Sequence, residues 1–111
     1  MAPKFGTSGL RGLVVELTDP LCAAYAKAFL QGAKTDGTVL IGRDLRDSSP
    51  RIAAAVAGGA AQAGLKAIDC GVLPTPALAL EATRRGTAAV MVTGSHIPAA
   101  RNGLKFYTAL G

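Results

Sequence analysis

The sequence has no tryptophan, a single histidine and two cysteines, and only 5% of its residues are aromatic. A core must therefore be built from Ala, Val, Leu and Ile, with Gly permitting close approach. Charged residues are also sparse, at 17% against 50% hydrophobic. That is the reverse of a chain too polar to pack, so a folded core is expected. Cys22 and Cys70 stand far apart, in no C-x-x-C pattern and without neighbouring ligands. A disulfide framework is excluded, and both read as small buried hydrophobes. No apolar stretch of membrane-spanning length escapes interruption by charge or Gly. Residues 1–12 are polar and Gly-rich, unlike a secretory leader. No membrane partner and a cytoplasmic location are expected.

The charge that is present leans basic, with a net value of +5. Nucleic-acid binders gather Lys and Arg on one face, often with exposed aromatics. Here the cations are spread along the chain, with no run longer than Arg84-Arg85. The balance fits attraction of a small phosphorylated anion better than nucleic acid, which is not expected as a partner.

The 111 residues suit one domain. Residues 1–11 read as a Gly-rich loop and 12–17 as a short strand. Thr18 or Asp19 can cap a helix with Pro20 in its first turn, running to about residue 31 with Leu21, Tyr25, Ala28 and Phe29 as its apolar stripe. A strand is expected over 38–41. A helix capped by Ser48 or Ser49 follows, reaching about 63, where Gly58 and Gly59 weaken it but admit a close neighbour. Then come a strand over 66–70, a helix over 75–85 ended by Gly86, an almost wholly apolar strand over 88–93, and a last strand over 104–107. Alternating strands and helices indicate a three-layer α/β/α domain. The connection between residues 93 and 104 is too short for a crossover helix, so the last strand must run antiparallel. The expected sheet is mixed and mainly parallel. Its 94–103 loop lies at the carboxyl end of a central strand, where open α/β sheets place ligands.

That loop concentrates the chemistry. It contains Gly94, Ser95, the only histidine (His96), Pro98, Asn102 and Gly103, and Lys105 follows. Gly94 lets backbone N–H groups turn toward an anion. A serine in such a nest can accept a phosphoryl group, a transfer that needs hydrogen-bond donors and cations more than covalent chemistry. Thr93, His96, Asn102 and Lys105 could supply them. A serine hydrolase would need a G-x-S-x-G elbow, which Gly94-Ser95-His96 lacks. The plain alternative is a turn with a polar histidine. Arg43 and Asp44 read as an internal ion pair, a structural pair at the strand end in preference to one that fixes the site.

The segment Thr93-Gly94-Ser95-His96-Ile97-Pro98, followed by Asn102-Gly103-Leu104-Lys105, resembles the phosphoserine loop of the α-D-phosphohexomutases, T-[AG]-S-H-N-P and then N-G-x-K. Lys4-Phe5-Gly6-Thr7-Ser8-Gly9-Leu10-Arg11-Gly12 resembles the opening motif of that family. Ile41-Gly42-Arg43-Asp44-Leu45-Arg46 resembles its G-R-D-x-R element. The resemblance implies domain I of a four-domain enzyme, covering residues 1–111. Ser95 would carry phosphate and pass it to a hexose phosphate through a 1,6-bisphosphate intermediate. Ser95, His96, Lys105 and Arg11 would be catalytic. Thr93, Gly94, Asn102, Gly103 and Ser8 would bind substrate or phosphate. Mg²⁺ would sit on the Ser95 phosphate, its other ligands lying in further domains. No D-x-D metal loop occurs in this sequence, so the chain alone is expected to lack mutase activity. A phosphomannomutase or phosphoglucomutase is expected. Phosphoglucosamine mutases typically open with G-T-D-G, where this chain has Ser8. Ile97 replaces the family's usual Asn, which leaves open a noncatalytic anion-binding module that kept the fold.

Overall fold

A computed structural model describes residues 4–6, 9–33, 35–94 and 101–108, the first three as backbone. Strand and helix alternate from residue 19 onward: α1 (Asp19–Gly32), β3 (Thr38–Arg43), α2 (Ser49–Gln62), β4 (Lys66–Val72), α3 (Thr75–Arg85), β5 (Ala88–Val92) and β6 (Arg101–Tyr107). Ahead of them lie β1 (Lys4–Gly6), β2 (Gly9–Leu13) and a 3₁₀ turn, Val14–Glu16. Among the described residues no helix is long and apolar enough to cross a membrane.

The sheet order is β1-β2-β6-β5-β3-β4. β3 pairs in parallel with both β4 and β5, and β6 returns antiparallel to β5, as the short connection requires. The opening segment departs from the loop expected there. β1 and β2 form an antiparallel hairpin on the outer edge of β6, with Leu10 opposite Leu104. This hairpin makes the sheet less parallel than the sequence suggested. The expected strand over 12–17 ends at Leu13, and the chain then turns through 3₁₀ geometry.

Alternation along the strands divides the core in two. Val39, Ile41, Ala88, Val90, Val92 and Leu104 face α1 and α2, while Leu40, Ala89 and Met91 face Leu78 and Ala82 of α3. Both sides of β5 are buried, which explains its unbroken apolar run. The buried stripe of α1 is Cys22, Ala26 and Leu30, one residue on from the stripe expected; Tyr25 and Phe29 flank it and Ala28 is exposed. A helix this rich in apolar residues has no single unambiguous stripe, and the neighbouring helix chooses between them. α2 makes that choice at Gly59, where a Cβ would overlap the Ala23 carbonyl of α1.

Candidate phosphoryl-transfer site

The site begins where β3 ends. A short turn follows Arg43, and α2 starts at Ser49. Arg43 and Asp44 do not pair with each other, correcting the expectation from sequence. Arg43 reaches across the sheet edge to Asp69 at 3.2 Å, and Asp44 pairs with Arg46 at 3.0 Å. Arg43 is the last strand residue and stays with its neighbour β4, while Asp44 has left the strand and turns toward the carboxyl end of β5.

There the Asp44 carboxylate is ringed by donors. Oδ2 accepts from the Gly94 N–H at 3.0 Å, and Oδ1 accepts from the Arg46 N–H at 3.1 Å and from Ser49 Oγ at 2.5 Å. Burial alone would raise the Asp44 carboxyl. The hydrogen bonds from Ser49, Gly94, Arg46 and Thr93 outweigh it and hold the group below the usual carboxylate range. The Arg46 guanidinium lies against Gly94 so closely that a Cβ at residue 94 would overlap it. A side chain at residue 94 would have to displace the Arg46 guanidinium.

The far end of the loop is held from α2. Asn102 is fully buried. Its Nδ2 donates to Ser48 Oγ at 2.8 Å and to Ser49 Oγ at 2.9 Å, and its Oδ1 accepts from the Gly103 N–H at 2.8 Å. Ser48 occupies the helix N-cap position but makes no side-chain cap, because its hydroxyl turns to Asn102 instead. The Thr93 N–H closes the base of the loop on the Gly103 carbonyl at 3.0 Å.

These bonds change the roles of four expected phosphate ligands. The N–H groups of Thr93, Gly94 and Gly103 and the whole Asn102 amide are engaged inside the protein. They frame the loop, and Asn102, without solvent exposure, has no donor to offer a ligand. Sequence reading took Asn102 as a donor to phosphate and missed that it faces α2 as the second residue of β6. The Ser48-Ser49 pair at the helix start was the available clue. Ser8, Ser95 and His96 lie outside the described residues.

Arg11 and Lys105 are placed differently. Arg11 is opposite Gly103 on the neighbouring strand. Leu10, Leu104 and Asn102 point toward α1 and α2, so alternation sends Arg11, Arg101 and Lys105 to the other sheet face. A Cβ on Gly103 would come within 2.8 Å of Arg11 Cγ, so the missing side chain lets the arginine stem lie across β6. α3 packs chiefly over β3 and β5. Among the described residues no carboxylate pairs with Arg11, Arg101 or Lys105. The result is a cationic sheet face beside the two loop stems, suited to an anion.

With that geometry, the comparison with known proteins is decisive. The sequence model of phosphoglucomutase/phosphomannomutase α/β/α domain I matches residues 2–111. The chain belongs to the phosphoglucomutase/phosphomannomutase family. It is 57% identical to a phosphomannomutase of Sinorhizobium fredii, over 96% of this chain and 24% of that protein. It is 43% identical to a phosphoglucosamine mutase of Corynebacterium urealyticum, over all of this chain and 27% of that protein. Among solved structures, a phosphoglucomutase/phosphomannomutase family protein of Burkholderia thailandensis superposes with a TM-score of 0.85 at 30% identity, across 96% of this chain and 26% of that one. The chain thus spans about a quarter of the length of these relatives.

Family membership also frames the metal question. Among the described residues no group of three His, Cys, Asp or Glu could hold an ion. Asp44, the partly buried carboxylate beside the described loop stems, is already surrounded by donors. The described residues therefore do not themselves form a Mg²⁺ site.

Proposed function

We propose that this chain is the phosphoserine domain of a phosphohexomutase, acting as domain I of a four-domain enzyme. Ser95 carries the phosphoryl group and transfers it to a hexose monophosphate. The Ser95 O–P bond breaks as a sugar O–P bond forms, giving a 1,6-bisphosphate. The intermediate turns over in the cleft and returns its other phosphate to Ser95. The observation that carries this reading is the loop itself. It leaves the carboxyl end of a central strand, both its stems are tied down, and the cations Arg11 and Lys105 lie on the strands that carry or flank its exit stem.

The transition state of phosphoryl transfer spreads negative charge over oxygens, so fixed cations lower its energy most. Arg11 serves as a phosphate contact. Lys105 serves as a second cation and a candidate proton carrier toward the sugar hydroxyl, with His96 and Ser8 completing the set. Mg²⁺ on the Ser95 phosphate would neutralise charge further, its remaining ligands coming from outside this chain. The substrate is a hexose phosphate. Relatives named for mannose and for glucosamine both match this domain, and the sugar is read by parts of the enzyme beyond it.

The test is phosphate capture. The protein is incubated with a hexose 1,6-bisphosphate and Mg²⁺, and the loop peptide is weighed by mass spectrometry. One phosphate on Ser95 is expected, and none in Ser95→Ala. Normal turnover by full-length Ser95→Ala would remove the assignment. A second reading, a noncatalytic anion-binding module, is favoured by Ile97 in place of the family's asparagine. It predicts sugar-phosphate binding without any covalent phosphate.

A further inference from the structure

The anchors of the loop meet at one atom. Ser49 Oγ donates to Asp44 and accepts from Asn102. Asp44 holds Gly94, directly before residue 95, and Asn102 is the second residue after the 95–100 segment. Ser49 is the first residue of α2 and is fully buried, so water does not compete for its hydroxyl. The resemblance to the family rests on segments ending at Arg46 and resuming at Thr93, and it assigns Ser49 nothing.

We propose that Ser49 is a positioning residue for phosphoryl transfer, coupling the entry and exit stems so that Ser95 meets Arg11 and Lys105 in one register. The proposal rests on the reading of Ser95 as the phosphoserine. Gly94 is bonded directly to residue 95, so a shift of the Asp44-held entry stem is expected to displace the backbone at Ser95. A misplacement of about 1 Å can cost about 100-fold in rate.

Ser49→Ala removes the bridging oxygen yet leaves each anchor a partner. Asp44 keeps Gly94 and Arg46, and Asn102 keeps Ser48 and Gly103. The variant is therefore expected to fold. Ser48→Ala is the matched control, since Ser48 accepts from Asn102 but lacks the bond to Asp44 that Ser49 makes. In the full-length protein, Ser49→Ala should lower kcat by about tenfold or more, with KM changed by less than about twofold, and Ser48→Ala should lower kcat less. In the chain itself, amide exchange at Gly94 and Gly103 should accelerate together in Ser49→Ala, but at Gly103 alone in Ser48→Ala. A lowered melting temperature with wild-type kcat and wild-type Gly94 exchange would overturn the proposal. Equal kcat losses in the two variants would overturn it as well. If the wild-type protein takes no phosphate on Ser95, the mutase reading fails, while the exchange comparison still decides whether Ser49 couples the stems.

Discussion

Asp44 shows how much one carboxylate can organise. Four hydrogen bonds to it come from three segments: the turn after β3, the first residue of α2 and the residues just after β5. Asp44→Asn removes the charge, weakens the bond to Arg46 and places an N–H where an acceptor is needed. A loss of about 1–3 kcal/mol is expected at neutral pH, measured by urea unfolding. Because the folded carboxyl is held below its ordinary value, its contribution is complete above the unfolded value of about 3.9 and fades as pH falls through the folded value. The gap between wild type and Asp44→Asn should accordingly be constant from pH 7 to 5 and shrink below pH 4. An unchanged gap at pH 3 would show that the carboxylate charge contributes nothing. Cys22 offers a second test at this scale. Burial pushes its thiol up to about 11, with Arg51 opposing. Thiol reagents at pH 8 should modify Cys22 only after unfolding, as followed by mass spectrometry with and without denaturant.

At the scale of elements, adjacent glycines in α2 should respond in opposite ways. A Cβ at Gly59 would overlap the Ala23 carbonyl, so Gly59→Ala must push α1 from α2 and cost about 1–3 kcal/mol. Gly58 is exposed and a Cβ there meets nothing within 4 Å. Gly58→Ala should stabilise by about 0.5–1 kcal/mol through helix propensity. Thermal melts of the two single variants check both signs. The sequence shows the glycine pair, but only the packing of α1 on α2 separates their roles. α3 was legible to the residue, because its signals are local: Pro76 in the first turn and Gly86 left-handed at the C-cap. Its Arg84 and Arg85 hydrogen bonds lower the Glu81 carboxyl to about 2, but the group is surface-exposed and adds little to stability.

At the scale of the whole molecule, the chain matches about a quarter of each relative, and the proposed cleft needs what those relatives have beyond it. The 111 residues by themselves should show no steady interconversion of hexose 6-phosphate and hexose 1-phosphate in a coupled assay. Sustained turnover by the chain alone would contradict the four-domain reading. The basic face of Arg11, Arg101 and Lys105 has no carboxylate among the described residues to neutralise it. On the proposed function, this face would receive the phosphate of the substrate.

Local rules were enough to read the alternation of helix and strand, the helix stops and the antiparallel return of β6. Those follow from the periodicity of side chains, the few residues able to cap a helix, and the length a crossover needs. The motif around Ser95 points to a phosphoryl-transfer loop, but residues 95–100 lie outside the described residues and only their stems are seen. Three things were settled only by tertiary structure. β1 and β2 became strands because β6, about ninety residues later, offers them an open edge, although their glycines carry no strand signal of their own. Asp44 chose Arg46 over Arg43 because the end of a strand sends successive side chains to different neighbours. Asn102 became an internal anchor because its buried amide needs partners, which the Ser48 and Ser49 hydroxyls at the start of α2 supply across a separation the linear order of residues does not reveal.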